Sequence, residues 1–326
     1  MPSVLLVGAS GMLGASLSRQ LKQKYPTWSL TVYYRNSQLD DWFQNTVGVD
    51  KVEHGTFEDV SRVRTLASQN DIIINAGSSF DPSLSKAIID GLKERKHTLK
   101  GTLIHVSGGG NFIDGRTDGK YDPAGKVWND ASEDDIKQVN PSMLNGAADR
   151  LILDAGNEGN INTFIVCMAL TYGLSDGPFP SIGVGYKILT SNAQSLGYVP
   201  YVGDGSSVLS VVHIDDGLKF LLRIVDIAAT HKVVGSAESR YYITYGERVS
   251  WKDVAKVLAR TLHKKGVLPS PEPRSVSIEE AGQGEIPKLL GSNMLVQGDR
   301  ATELGFKAEA KSILESIPED LDVVDF

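Results

Sequence analysis

The chain has one cysteine, Cys167, among 326 residues, so it cannot close an internal disulfide and is not a cross-linked scaffold. Cys167 lies inside an apolar run, where a small buried hydrophobe is expected rather than a nucleophile. No stretch reaches the ~18 consecutive apolar residues of a membrane-spanning helix, and no membrane partner is expected. No positive charge precedes the first apolar run, which argues against a secretory signal and for a cytoplasmic protein. Basic blocks are missing too: the formal charge is −7, so nucleic acid is not an expected partner. His54, His97, His105, His213, His231 and His263 show no ligand spacing such as His-x-x-x-His, so no metal is expected. No Gly-x-Ser-x-Gly elbow occurs, which disfavours a hydrolase of that type.

What is present is an ordinary globular composition, 41% hydrophobic and 22% charged, long enough for one large or two modest domains. The chain opens on Val4-Leu5-Leu6-Val7-Gly8-Ala9-Ser10-Gly11-Met12-Leu13-Gly14. An aliphatic run reads as a strand buried on both faces, and Leu13, Leu17 and Leu21 then recur at helical spacing. The glycines between them suit a nucleotide-binding crossover: Gly8 for a tight turn, Gly11 for backbone approach to a pyrophosphate, Gly14 for close helix packing. Ser10, Met12 and Leu13 complete the turn, where the helix N-terminus offers free N–H groups and a positive dipole end.

Further strands are expected over 30–34, 49–54, 71–75, 102–107 and 163–167. Helices are expected over 60–68, through Leu84, Ile88 and Leu92, and over 144–153. The polar, glycine-rich stretch 108–130 reads as an active-site loop. This alternation predicts an α/β, doubly wound parallel Rossmann sheet. Beyond Tyr172 the rhythm changes: Pro178, Pro180 and Pro200 appear, a helix is expected over 251–262, and 266–273 reads as an irregular crossover. We expect residues 1–175 to form the dinucleotide-binding part. Residues 176–326 are expected to form a smaller mixed α/β substrate-binding part, interleaved with the first and capping the sheet.

About 20 positions past the glycine loop, where NAD-specific sites carry an acid, stands Tyr33-Tyr34-Arg35-Asn36, with no carboxylate before Asp40. Arg35 at a strand end suits a 2′-phosphate, so NADP(H) is the expected cofactor.

The Gly8-x-x-Gly11-x-x-Gly14 spacing resembles the fingerprint of extended and atypical short-chain dehydrogenase/reductases, including NmrA-like proteins. His105-Val106-Ser107-Gly108-Gly109-Gly110, Thr171-Tyr172-Gly173 and the stretch from Tyr245 to Trp251 look like an atypical, largely fungal branch. The resemblance implies that Thr56 and Phe57 lie beside the adenine, with Thr56 replacing the usual acid. It also implies that Ala76, Gly77, Val106 and Ser107 flank the cofactor, and that Met168 packs on the nicotinamide where relatives carry proline. His213, in Val212-His213-Ile214-Asp215-Asp216, is expected to be structural.

Relatives use a Tyr-x-x-x-Lys pair on one helical face as a proton relay. No tyrosine here has lysine four positions later; Asn145 and Asp149 stand at the two places. Asparagine can orient a carbonyl but cannot act as a general acid, and a carboxylate raises a neighbouring phenol's pKa. Ser107, Asn145, Tyr121 and Tyr172 are the remaining catalytic candidates, with Asp122 beside Tyr121; for each tyrosine a packed ring is the competing role.

The resulting expectation is an NADP(H)-dependent oxidoreductase acting on a small apolar carbonyl, imine or iminium compound, in fungal secondary metabolism. The alternatives are a redox-neutral cyclase or isomerase, such as a cycloaddition catalyst, and a non-catalytic NADP(H)-sensing regulator. Only the regulator requires a protein partner.

Overall fold

The computed structural model describes residues 1–178, 181–230 and 232–324; Pro180 and His231 lie outside the described residues. Strand β1 (Ser3–Val7) buries Val4 to Val7 completely, as a strand covered on both faces requires. Helix α1 (Met12–Lys24) buries Leu17 and Leu21, and Lys22 and Lys24 stand at its negative dipole end. There follow β2 (Ser29–Tyr34), β3 (Lys51–His54), α2 (Val60–Ser68) and β4 (Ile72–Asn75). Helix α3 (Pro82–Lys93) starts sharply, because the Asp81 side chain accepts from Ser83 and Leu84 N–H and Pro82 fits the first turn.

Next come β5 (Thr102–Gly108), β6 (Trp128–Asn129), α4 (Glu133–Lys137), α5 (Gly146–Glu158) and β7 (Asn162–Met168). The stretch 108–130 is less irregular than its composition suggests. It holds a 3₁₀ turn over 109–112 and ends in β6, which pairs with a strand from the far end of the chain. Helix α5 begins later than the apolar pattern indicates, since Met143 and Gly146 N–H close turns onto Asn140 and Met143 instead.

The second half contributes β8 (Leu170–Tyr172), α6 (Val184–Leu196), β9 (Pro200–Val202), β10 (Val208–His213), α7 (Ile214–Ala229) and β11 (Tyr241–Thr244). It continues through β12 (Glu247–Ser250), α8 (Trp251–Lys264), β13 (Arg274–Val276), α9 (Ile286–Gly291), β14 (Val296–Gln297), α10 (Asp299–Glu303) and α11 (Ile313–Asp322).

Seven parallel strands form the main sheet in the order β11-β7-β5-β4-β1-β2-β3. The order reverses between β1 and β4, which opens a crevice at the carboxyl edge of the strands. Its last strand, β11, comes from the second half of the chain. A small sheet, β12-β10-β8, and two two-stranded pairs stand beside that edge. Cys167 is buried in β7, and burial pushes its thiol pKa up, as fits an inert core residue. Among the described residues no helix is long and apolar enough to cross a membrane, and none forms a metal-ligating cluster.

Candidate active site

The β1–α1 turn is built around close backbone contacts. Gly8 has φ +81°, and a Cβ there would sit 2.3 Å from Gly77 Cα, so the turns after β1 and β4 abut directly. A Cβ on Gly14 would lie 2.2 Å from the Gly8 carbonyl oxygen, which only glycine avoids. Gly11 and Ser10 are exposed, leaving the backbone open to a ligand. The N–H groups of Met12 and Leu13 fall in the first turn of α1, where no helical carbonyl precedes them. Phosphate oxygens suit such a terminus.

Arg35 is exposed at the end of β2 and makes no ion pair among the described residues. The next carboxylate is already engaged: Asp40 accepts from Tyr34 OH at 2.6 Å and faces His54 Nε2 at 3.1 Å. Both carboxylate oxygens of Asp40 therefore already have a partner. Thr56 carries its backbone in local bonds, from Tyr33 OH to its carbonyl (2.8 Å) and from its N–H to Asp59 (2.9 Å). The Phe57 ring lies against Gly77, where a Cβ would come 2.6 Å from Cζ.

A cavity of about 460 Å³ opens from this turn along the carboxyl edge of the sheet. Met12, Leu13, Ala76, Gly77, Val106 and Met168 line its inner side, together with Ser107 and Asn145. Ser78 and Ser79 after β4, Gly183, Gly185 and Ile188 of α6 and its approach, Leu289 of α9 and Met294 close it. Its polar side chains are Ser78, Ser79, Ser107, Asn145 and Thr171, and no ionisable side chain lines it among the described residues.

Behind Ser107 lies a buried polar cluster centred on Asp149. Asp149 Oδ2 accepts from Ser107 Oγ (2.7 Å), Asn111 Nδ2 (2.8 Å) and Tyr241 OH (2.9 Å). Burial, followed by the Asp149 charge, raises the Tyr241 phenol well above its ordinary pKa and keeps it a donor. Asn75 Oδ1 accepts from Gly77 N–H, so Asn75 Nδ2 donates to His105 Nδ1 at 3.1 Å. The His105 proton then sits on Nε2, 3.5 Å from Asp149 Oδ1, too long for an ordinary hydrogen bond. Asp149 therefore lies behind Ser107, outside the cavity lining, and fixes Ser107 with its proton pointing inward.

Asn145 is the N-cap of α5, yet its side chain makes no capping bond. Asn145 Nδ2 donates to Ser79 Oγ at 2.7 Å, and Oδ1 is buried without a partner.

The tyrosine candidates are not brought to the cavity. Tyr121 is exposed, with only its backbone N–H held, by Ser206 Oγ. The neighbouring Asp122 pairs with Arg116. Tyr172 is buried, donates its hydroxyl to the Lys311 carbonyl at 2.7 Å and stands edge-on to His213; burial raises its pKa. His213 caps α7 by accepting from Asp215 N–H, a structural role. Sequence reasoning missed the walls from Leu144, Ile188, Leu289 and Met294, since apolar side chains carry no local mark separating a cavity from a core.

Residues 4–235 match the NAD dependent epimerase/dehydratase family, and the chain belongs to that family. It is thus a member of the extended short-chain dehydrogenase/reductase superfamily. No curated protein matches it. Among solved structures, the dTDP-glucose 4,6-dehydratase of Bacillus anthracis in complex with NAD is similar, with 13% identity and a TM-score of 0.68 over 99% of this chain and 96% of that one. The UDP-glucose 4-epimerase of Thermotoga maritima with UDP-glucose has 16% identity and a TM-score of 0.65, covering 98% of each chain. The UDP-glucuronic acid 4-epimerase of Bacillus cereus, with UDP-glucuronic acid and NAD, has 13% identity and a TM-score of 0.64, covering 98% of each. At these identities the likeness is one of fold.

Proposed function

We propose that the protein is an NADP(H)-dependent oxidoreductase that exchanges hydride with a small, largely apolar metabolite without a tyrosine–lysine relay. The observation that carries this reading is the cavity wall, which is continuous with the α1 N-terminus and contains no ionisable side chain among the described residues. When bound, the nicotinamide would supply or accept the hydride.

The chain's own residues fit such a cofactor. Gly8 and Gly14 let the β1–α1 turn close tightly on Gly77 and on the start of α1, and Met12 and Leu13 N–H suit the pyrophosphate. Arg35 is free to pair with a 2′-phosphate through two charge-assisted hydrogen bonds. Val106 and Met168 would wall the nicotinamide, and Thr56 and Phe57 the adenine. Ser107, its proton committed to Asp149, and Asn145 would orient the substrate.

No ionisable acid lines the cavity among the described residues, which suits an acceptor that is already cationic, such as an iminium ion, or a product protonated by water. Orientation and exclusion of solvent then supply the acceleration. The nucleotide sugars of the structural neighbours carry diphosphates, and among the described residues these walls offer no cation to hold one. The walls from Gly183, Gly185, Ile188, Leu289 and Met294 support reading 176–326 as the substrate-binding part. The missing proton donor also favours, as a second reading, a redox-neutral cyclase or isomerase in the same cavity.

The two are separated by incubating the protein with a panel of cyclic iminium ions and apolar enones and NADPH labelled with deuterium on either face of C4. Deuterium in product from one label only is expected. Turnover with no deuterium in product and the cofactor unconsumed would replace the first reading by the second. A cofactor-dependent affinity for a protein partner, with nothing turned over, would replace both by the regulator.

A further inference from the structure

Asparagine at a helix N-terminus ordinarily caps it, because its oxygen accepts from the N–H groups of the first turn. Asn145 forgoes that bond, is 1% exposed, lines the cavity and leaves Oδ1 buried without a partner. An unmade bond at a buried acceptor costs free energy unless something else supplies the donor.

The Asn145 amide faces Gly108, also in the cavity wall, where a Cβ would stand 3.5 Å from Nδ2 and 3.6 Å from Oδ1 with nothing closer. Ser107, donating inward to Asp149, presents only its lone pairs on the cavity side. Thr171 commits its hydroxyl proton to the Ala169 carbonyl at 3.1 Å. Asn145 Oδ1, Ser107 and Thr171 thus offer acceptors at the inner end, beside the Ser79 hydroxyl, which accepts from Asn145 and keeps its own proton to donate.

The outer end has a different character. Phe80, Leu144 and Ile188 all line the cavity, yet are 55%, 48% and 37% exposed. They come from three separate elements: the β4–α3 loop, the turn before α5, and α6. Large apolar side chains left in water around one opening mark a surface that a ligand covers.

We infer that the cavity selects an elongated apolar molecule without anionic groups that enters with a hydroxyl or N–H group foremost. Asn145 Oδ1 accepts from that group, and the apolar body passes out across Phe80, Leu144 and Ile188. This rests on the proposed function for the location of the site and adds the substrate's chemistry. Asn145 and the rim residues are specificity-determining, not proton-transfer, groups.

The test uses 4-alkylphenols, 4-alkylanisoles and 4-alkylbenzoates of increasing chain length, titrated calorimetrically into the full-length protein with and without NADP⁺. Phenols are expected to bind about five- to tenfold more tightly than the matching anisoles. Each added methylene should tighten binding about threefold until the chain clears the rim. Asn145→Ala should abolish the phenol preference and keep the chain-length increment, which also reports that the pocket is folded. The double variant Phe80→Ser/Ile188→Ser should flatten the increment for long chains and keep the phenol preference. Anisoles binding as tightly as phenols, benzoates binding as tightly as either, or an increment unchanged in the rim variant would overturn the inference. No readout here needs hydride transfer, so a failed deuterium experiment beside the expected selectivity would refute the oxidoreductase reading alone.

Discussion

Arg35 and Asp40 stand five residues apart at the end of β2, and only one of them is free. Asp40 is held by Tyr34 and His54, whereas Arg35 is exposed and unpaired. We expect Arg35→Ala to weaken NADPH binding about tenfold, roughly 1.4 kcal/mol, and to leave NADH binding within about twofold. Fluorescence titration of both cofactors measures this; equal losses, or none, would remove Arg35 from the site. Arg35 was legible in the sequence because a strand end and a missing acid are local features. Tyr172 was not, because its hydroxyl is captured by the carbonyl of Lys311, 139 residues away. Position after a strand placed Tyr172 near the crevice, and a distant backbone group then turned its hydroxyl away.

Among the elements, the start of α5 carries Asn145 and Asp149, which stand where the resemblance places a tyrosine and a lysine. Asn145 and Asp149 do share a side of it, but Asn145 precedes the helix and meets the cavity while Asp149 is buried behind Ser107. Asp149 joins α5 to β5 through Ser107, to the turn after β5 through Asn111, and to β11 through Tyr241. Truncating it to alanine strands those buried donors at once. We expect Asp149→Ala to cost about 3–5 kcal/mol in urea unfolding, the range for removing one partner of a buried charged network. A loss below about 1 kcal/mol would mean that water or another group satisfies them. Nothing in the spacing of residues 145–149 announces this role, since Ser107, Asn111 and Tyr241 lie 42, 38 and 92 residues from Asp149.

At the scale of the whole molecule, the parallel sheet was readable because buried parallel strands are nearly unbroken aliphatic runs and the turns between them are marked by glycine. The strand that closes the sheet, β11, was not readable: Tyr241 to Thr244 is short and separated from β7 by α6 and α7. The cavity was half legible. Its dinucleotide side follows from the β1–α1 turn, while its outer walls from α6 and α9 are ordinary apolar residues until the fold brings them together. The proposed function requires that this crevice take a 2′-phosphorylated dinucleotide without a tyrosine–lysine relay beside it. Calorimetric titration of the intact protein with NADP⁺ and with NAD⁺ tests that claim most directly. Saturable heat is expected with NADP⁺, at an affinity about tenfold above that for NAD⁺; no heat with either, or tighter binding of NAD⁺, would refute the proposed cofactor.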